Sequence, residues 1–340
     1  MAQGLDAAPR PTRHRSPDPP LAQTPRADGM ETFLPVYLPI AELSVDLLLI
    51  IAIGAAVGFL SGLFGVGGGF LITPLLIFMG VPSTVAVATG SNQVVASSVS
   101  GALAQWRRGN VDFKLGTVML LGGLVGSTVG VFVVAWLKRK GQVDLFISLT
   151  YVLMLGVIGS LMLVESLNAI MKTRKGQPAG PLREGHSWLD RLPLKQRFHR
   201  SKLYVSAIPP AMLGIFVGFL SAIMGVGGGF VVVPALIYMM RVPTNVVIGT
   251  SLFQTIFVAA YTTIMQAWQN QSVDAVLAFL LVIGGVVGAQ LGVRAGQNLK
   301  GEQLRAMLAA IVLAVAIRLA IGLILPPGEL YSLAPAVAGS

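Results

Sequence analysis

VGFLSGLFGVGGGFLITPLLIF at residues 57–78 lies against VGFLSAIMGVGGGFVVVPALIY at 217–238, an offset of 160 residues, with GVGGG and the downstream proline coinciding. One inserted residue later Pro82 meets Pro243, Thr89 meets Thr250 and Gln93 meets Gln254. After a second insertion Gly122, Gly126 and Gly130 meet Gly284, Gly288 and Gly292. Such register over two long stretches is an internal duplication.

Outward from these motifs, charge-poor runs fall near 46–64, 69–80, 84–106, 115–137 and 144–164, then near 206–225, 229–240, 245–268, 274–294 and 303–325. Most approach the roughly 20 residues that a helix needs to cross about 30 Å of hydrocarbon, whereas the second and seventh have about a dozen and read as half-length or re-entrant. The chain of 340 residues is 54% hydrophobic and 11% charged, with positive mean hydropathy, so the charge density of a soluble protein is missing. The expected fold is therefore an all-α polytopic membrane protein of two repeats with about five hydrophobic segments each. The expected layout is a disordered tail (1–45), membrane repeat 1 (46–164), a basic cytoplasmic linker (165–205), membrane repeat 2 (206–326) and a C-terminal tail (327–340).

An odd number of crossings per unit turns the second copy upside down, giving the inverted repeats of transporters. With the linker cytoplasmic, Arg107, Arg108, Lys114, Arg241, Arg294, Lys300 and Arg305 also fall inside. Lys138, Arg139 and Lys140 and the four arginines of the N-terminal tail fall outside. The positive-inside rule thus predicts an inner-membrane, multi-pass protein with both termini periplasmic and one discordant connection.

Four glycines in five residues cost about 1 kcal/mol each relative to alanine in a helix, so each GVGGG should break it. Broken backbone survives in a membrane only where protein or a water-filled cavity covers it. Two breaks related by inversion imply a central cavity, toward which the following helix directs its N–H groups and positive dipole end. Small anions are the natural guests of such a site. Gly67, Gly68, Gly69, Gly227, Gly228 and Gly229 are candidate substrate-binding residues on this ground. A packing role for the motif competes with that reading, since small residues also permit close helix crossing. The four-residue spacing of Gly122/Gly126/Gly130 and Gly284/Gly288/Gly292 reads as helix packing.

The third segment of each repeat opens with polar residues, Thr89, Ser91, Asn92 and Gln93 in one copy and Thr250, Ser251 and Gln254 in the other. Their donors could replace an anion's hydration, or they could cap and bridge neighbouring helices. Arg318 is the one charge well inside an apolar run, AAIVLAVAIRLAIGLIL, which makes it either an anion partner or a snorkelling side chain.

No cysteine is present, and His14, His186 and His199 lie in the tail or linker, so neither a metal site nor a cofactor is expected. The spans offer no histidine, cysteine or close carboxylate pair for an enzyme. The net charge of +10 resides in tails and loops without a nucleic-acid motif, which excludes nucleic acid as partner. The partners expected are lipid bilayer and a small anion, and small-residue faces are compatible with a homodimer.

The duplicated GFLSGxxGVGGGFxxxPxL, the Thr/Ser-rich helix start and the connection WRRGNVD at 106–112 resemble the TauE/SafE sulfite exporter family, also called toluene-sulfonate uptake permeases, over roughly residues 46–325. The second half departs from it, reading QAWQNQSVD, so any role of Arg107 or Arg108 is not duplicated. The resemblance implies a secondary transporter, by default an exporter, of sulfite, a sulfonate or a related organosulfur anion. An anion channel and an ion-coupled importer of the same substrates are the alternatives.

Overall fold

The computed structural model describes residues 34–64, 69–174, 195–198, 203–240, 242–296 and 301–324. Repeat 1 contains β1 (Pro35–Leu38), β2 (Leu43–Asp46), α1 (Leu47–Phe64), α2 (Gly69–Phe78), α3 (Ser83–Arg107), α4 (Phe113–Arg139) and α5 (Val143–Arg174). Repeat 2 contains β3 (Lys195–Phe198), β4 (Leu203–Ser206), α6 (Ile208–Met224), α7 (Gly229–Met240), α8 (Thr244–Asn270), α9 (Ala275–Gly296) and α10 (Gly301–Ile324). The ten helices match the ten apolar runs. Six are long and apolar enough to cross a membrane: those at 47–64, 113–139, 143–167, 246–270, 275–292 and 306–324. The protein is an all-α polytopic membrane protein.

The halves interlock. α1 packs along α9 and α4 along α6, so that the first helix of each repeat rests on the fourth of the other. Glycine stripes make the contact. Gly122, Gly126 and Gly130 press on α6 at Ala211, Ile215 and Phe219, while Gly284, Gly288 and Gly292 press on α1 at Ile51, Ala55 and Phe59. A Cβ on Gly58 would fall 2.7 Å from the Gly285 Cα, and one on Gly218 would fall 2.8 Å from the Gly123 Cα. Contacts between main chains give these pairs the dispersion energy that substitutes for hydrophobic driving force in lipid.

Helix directions follow from the same contacts. Gly54, Gly58 and Gly62 meet Leu281, Gly285 and Ala289 in turn, so α1 and α9 run parallel, as α4 and α6 do through Met119–Gly214 and Gly123–Gly218. α3 and α8, equivalent in the two repeats, run antiparallel: Gly101 meets Leu252, and Gly249 meets Gln105 further along α3. Equivalent elements pointing in opposite directions are what inversion requires. α8 also runs parallel to α4, Gly116 touching Thr250 and Gly123 touching Val258. The starts of α6 and α8 therefore lie on one side of the bundle, and the short connection from α7 to α8 places the end of α7 on that side too. α6 and α7 therefore form a hairpin whose outer ends lie on one side of the bundle. At 10 and 12 residues, α2 and α7 rise about 15–18 Å, half the hydrocarbon thickness.

Ordered elements run across three of the expected segment boundaries. The part of the N-terminal tail from Leu34 to Val45 is built into the fold, because Pro35–Asp46 closes into an antiparallel hairpin. β3 and β4, all but Ser206 of which were expected as linker, pair as its counterpart at the same 160-residue offset. α5 likewise continues to Arg174. Asp46 Oδ1 accepts from Leu48 N at 2.8 Å, capping α1, and Ser206 Oγ, two residues before the start of α6, accepts from Ile208 N at 3.2 Å. Residues 1–33, 175–194 and 327–340 lie outside the described residues.

Candidate functional site

The helix break of repeat 2 is explicit. Gly225, Gly227 and Gly228 have φ of 68, 67 and 76°, left-handed values that favour glycine. Gly225 ends α6 with its N–H on Ser221 O at 2.8 Å. The break frees the Met224 carbonyl from the helical ladder, and the hydroxyls of Thr73 and Tyr151 donate to it. Thr255 Oγ1 donates to Gly227 O at 2.9 Å. The polar backbone is thus covered by protein, and residues 221–230 are all buried.

The two motifs meet. Gly69, which opens α2, lies against Val226 and the Gly225 carbonyl, a Cβ on it falling 3.0 and 3.1 Å from them. Phe70 and Phe230, equivalent by the duplication, stack with ring centroids 5.7 Å apart. Val94 of α3 touches both Gly69 and Gly227. Gly67 and Gly68 lie outside the described residues.

Around this junction stand Gln93, two residues from the midpoint of α3, and Gln254, three from the midpoint of α8. Both are buried, at 2% and 0% exposure. Each faces a glycine of the other repeat: Gln93 meets Gly285 and Gln254 meets Gly123. Gly123 and Gly285 are each the eleventh residue of their helix, about 15 Å from its start and so near mid-depth. Gln93 Nε2 donates to Gly54 O at 3.1 Å.

Other predicted residues have structural partners. Thr89 Oγ1 accepts from Asp274 N and Thr250 Oγ1 from Asp112 N, both at 3.0 Å. Ser91 and Ser251 hydroxyls return to their own helices, at Val87 O (2.9 Å) and Ile248 O (3.0 Å). Asn92 is half-buried. Gly229 starts α7, buried beside the junction. Arg318 stands apart, exposed on α10 with its guanidinium 5.2 Å from the Phe78 ring centroid. Phe78 ends α2, nine residues or about 13 Å from Gly69. Thr73, Tyr151 and Thr255, which hold the second break, carried no sequence signal except that Thr255 adjoins Gln254.

Across the junction, then, the start of α2 meets the break between α6 and α7, flanked by two antiparallel polar helices. The sequence model described as sulfite exporter TauE/SafE matches residues 50–319. The chain belongs to the TauE/SafE family. A relative named probable membrane transporter protein, from Xylella fastidiosa (strain 9a5c), is 32% identical over 282 residues, covering 80% of this chain and 94% of its own. The probable membrane transporter protein YunE of Bacillus subtilis (strain 168) is 26% identical over 277 residues, 79% of this chain and 95% of its own. "Sulfite exporter TauE/SafE family protein 1" of Arabidopsis thaliana is 40% identical over 77 residues, 23% of this chain and 17% of its own. No solved structure matches this TauE/SafE chain significantly. The protein is a membrane transporter.

Proposed function

We propose that this transporter carries sulfite, a sulfonate or a related organosulfur anion out of the cytoplasm across the inner membrane, through the centre of the bundle and with both termini periplasmic. The observation that supports the reading is the junction of Gly69 with Gly225 and Val226 between α3 and α8. Backbone N–H groups at a helix break, with buried amides beside them, are donors that can replace an anion's water. Gly67 to Gly69, Gly227 to Gly229, Asn92, Gln93 and Gln254 form the proposed path. Thr89, Thr250, Ser91 and Ser251 frame it, and Arg318 serves the outer interface. No catalytic step is assigned to the chain.

The experiment is flux in proteoliposomes across sulfite, sulfate, sulfoacetate, taurine and simple carboxylates. Saturable movement of sulfite or a sulfonate is expected. Movement of carboxylates alone would overturn the substrate class, and unitary conductance in a planar bilayer would replace the transporter by a channel.

A further inference from the structure

The two glutamines are equivalent in sequence and unequal in structure. Gln93 is bonded to Gly54, whereas Gln254 has no hydrogen-bond partner at either Oε1 or Nε2, although Gly214, the counterpart of Gly54, lies in the same contact around Gly123. Two hydroxyls in that region share its condition. Ser127 of α4 and Ser221 of α6 are both 0% exposed, and neither Oγ has a partner.

Helical register carries these three groups to one seam. Gly123 touches Gln254 and Val258 on α8 and lies against Gly214 and Gly218 on α6. Ser127 follows Gly123 by one turn, and Ser221 follows Gly218 by three residues. Because α4, α6 and α8 run parallel, both hydroxyls advance in the same direction along the seam. The corresponding seam of repeat 1 differs: Ala289 replaces Ser127 there, and its glutamine is engaged through Nε2, although its Oε1 also lacks a partner. Unpartnered polar groups buried in protein are costly and rarely left without a role.

Resting on the transport reading above, we propose that Gln254, Ser127 and Ser221 form an oxyanion site that takes singly charged oxyanions in preference to dianions. One amide NH2 and two hydroxyls offer four N–H and O–H donors, enough for the three oxygens of a sulfonate head. All are uncharged, and among the described residues no Lys, Arg or His is buried. The cost of removing an ion from water grows with the square of its charge, while its attraction to neutral donors grows only in proportion, so the dianion is discriminated against.

The test uses the full chain purified in detergent, with methanesulfonate and sulfate as calorimetric probes. Wild type should bind methanesulfonate at least roughly tenfold more tightly than sulfate. Ser127→Ala and Ser221→Ala should each weaken methanesulfonate binding roughly tenfold, the loss of one hydrogen bond to a charged group. Neither should lower the Tm, since each removes a hydroxyl that has no partner in the folded state. Ser61→Ala, at the position equivalent to Ser221, should leave affinity unchanged. Unchanged methanesulfonate affinity in both seam variants, or equal binding of sulfate by wild type, overturns this site while leaving transport intact. Wild type that neither binds nor moves any oxyanion overturns the transport reading as well.

Discussion

Thr89 accepts the backbone N–H of Asp274 at 3.0 Å across 185 residues of sequence, and Thr250 does the same for Asp112 across 138 residues. Both aspartates in turn open the helix that follows: Asp274 Oδ1 accepts from Leu277 N and Asp112 Oδ1 from Leu115 N, each at 3.1 Å. Each repeat thereby fixes the start of the other's fourth helix. Thr89→Val and Thr250→Val should each leave a buried N–H without an acceptor and cost about 1–3 kcal/mol. Thermal unfolding in detergent should show similar losses for the two, with the Thr→Ser variants near wild type. A loss confined to one of them would contradict the equivalence of the two contacts.

Glycine packing gives a sharper contrast. Gly58→Ala would drive a methyl into the main chain of Gly285, whereas Gly156 has nothing within 4 Å of where a Cβ would stand. Separation of α1 from α9 should follow in the first case, with loss of monodisperse protein by size-exclusion chromatography. Gly156→Ala should be neutral, or stabilising by up to about 1 kcal/mol through helix propensity. Equal yields of both variants would show that the α1–α9 contact is not limiting.

These contacts also show what the sequence could carry. A helix break is legible because glycine runs are incompatible with continuous helix, and GVGGG therefore marked the end of α6 and the start of α2 within a residue. The hairpins were not legible. Of the twelve positions in 35–46 and 195–206, only Leu43/Leu203 and Val45/Val205 coincide, since strand pairing is made by backbone groups that any side chain permits. Thr89 and Thr250 were visible as a matched pair, but their partners were not, because a hydrogen bond across 185 residues leaves no periodicity. Ser127 and Ser221 are lone serines in apolar spans, a pattern shared with ordinary packing positions, and only the unpartnered state of their hydroxyls distinguishes them.

Gln93 and Gln254 should separate affinity from stability. Gln93→Ala removes a bond to Gly54, so it should lower the Tm as well as weaken substrate binding. Gln254→Ala removes an amide without a partner, so it should weaken binding by about 1–2 kcal/mol, roughly fivefold to thirtyfold, without lowering the Tm. Affinity and unfolding temperature measured on the same preparations check this. Wild-type affinity in both variants would remove the glutamines from the proposed path.

The last prediction concerns the driving force. The carboxylates buried among the described residues are Asp46, Asp112 and Asp274. Each stands just before a helix, with an oxygen accepting the N–H of Leu48, Leu115 or Leu277. Asp144 lies in the first turn of α5, and Glu165 lies toward the far end of that helix's span. A proton relay needs a carboxylate within the membrane that is free to change state, and capping carboxylates at span ends do not meet that need. An inside-negative potential of 100 mV drives each negative charge outward by about 2.3 kcal/mol, so export of a monovalent anion can run on the potential alone. Import of the same anion would require a coupling cation. In proteoliposomes with a valinomycin-set potential and no sodium or pH gradient, sulfonate flux should follow the sign and size of the potential. Flux that is indifferent to the potential, or that appears only with a sodium gradient, would refute potential-driven export.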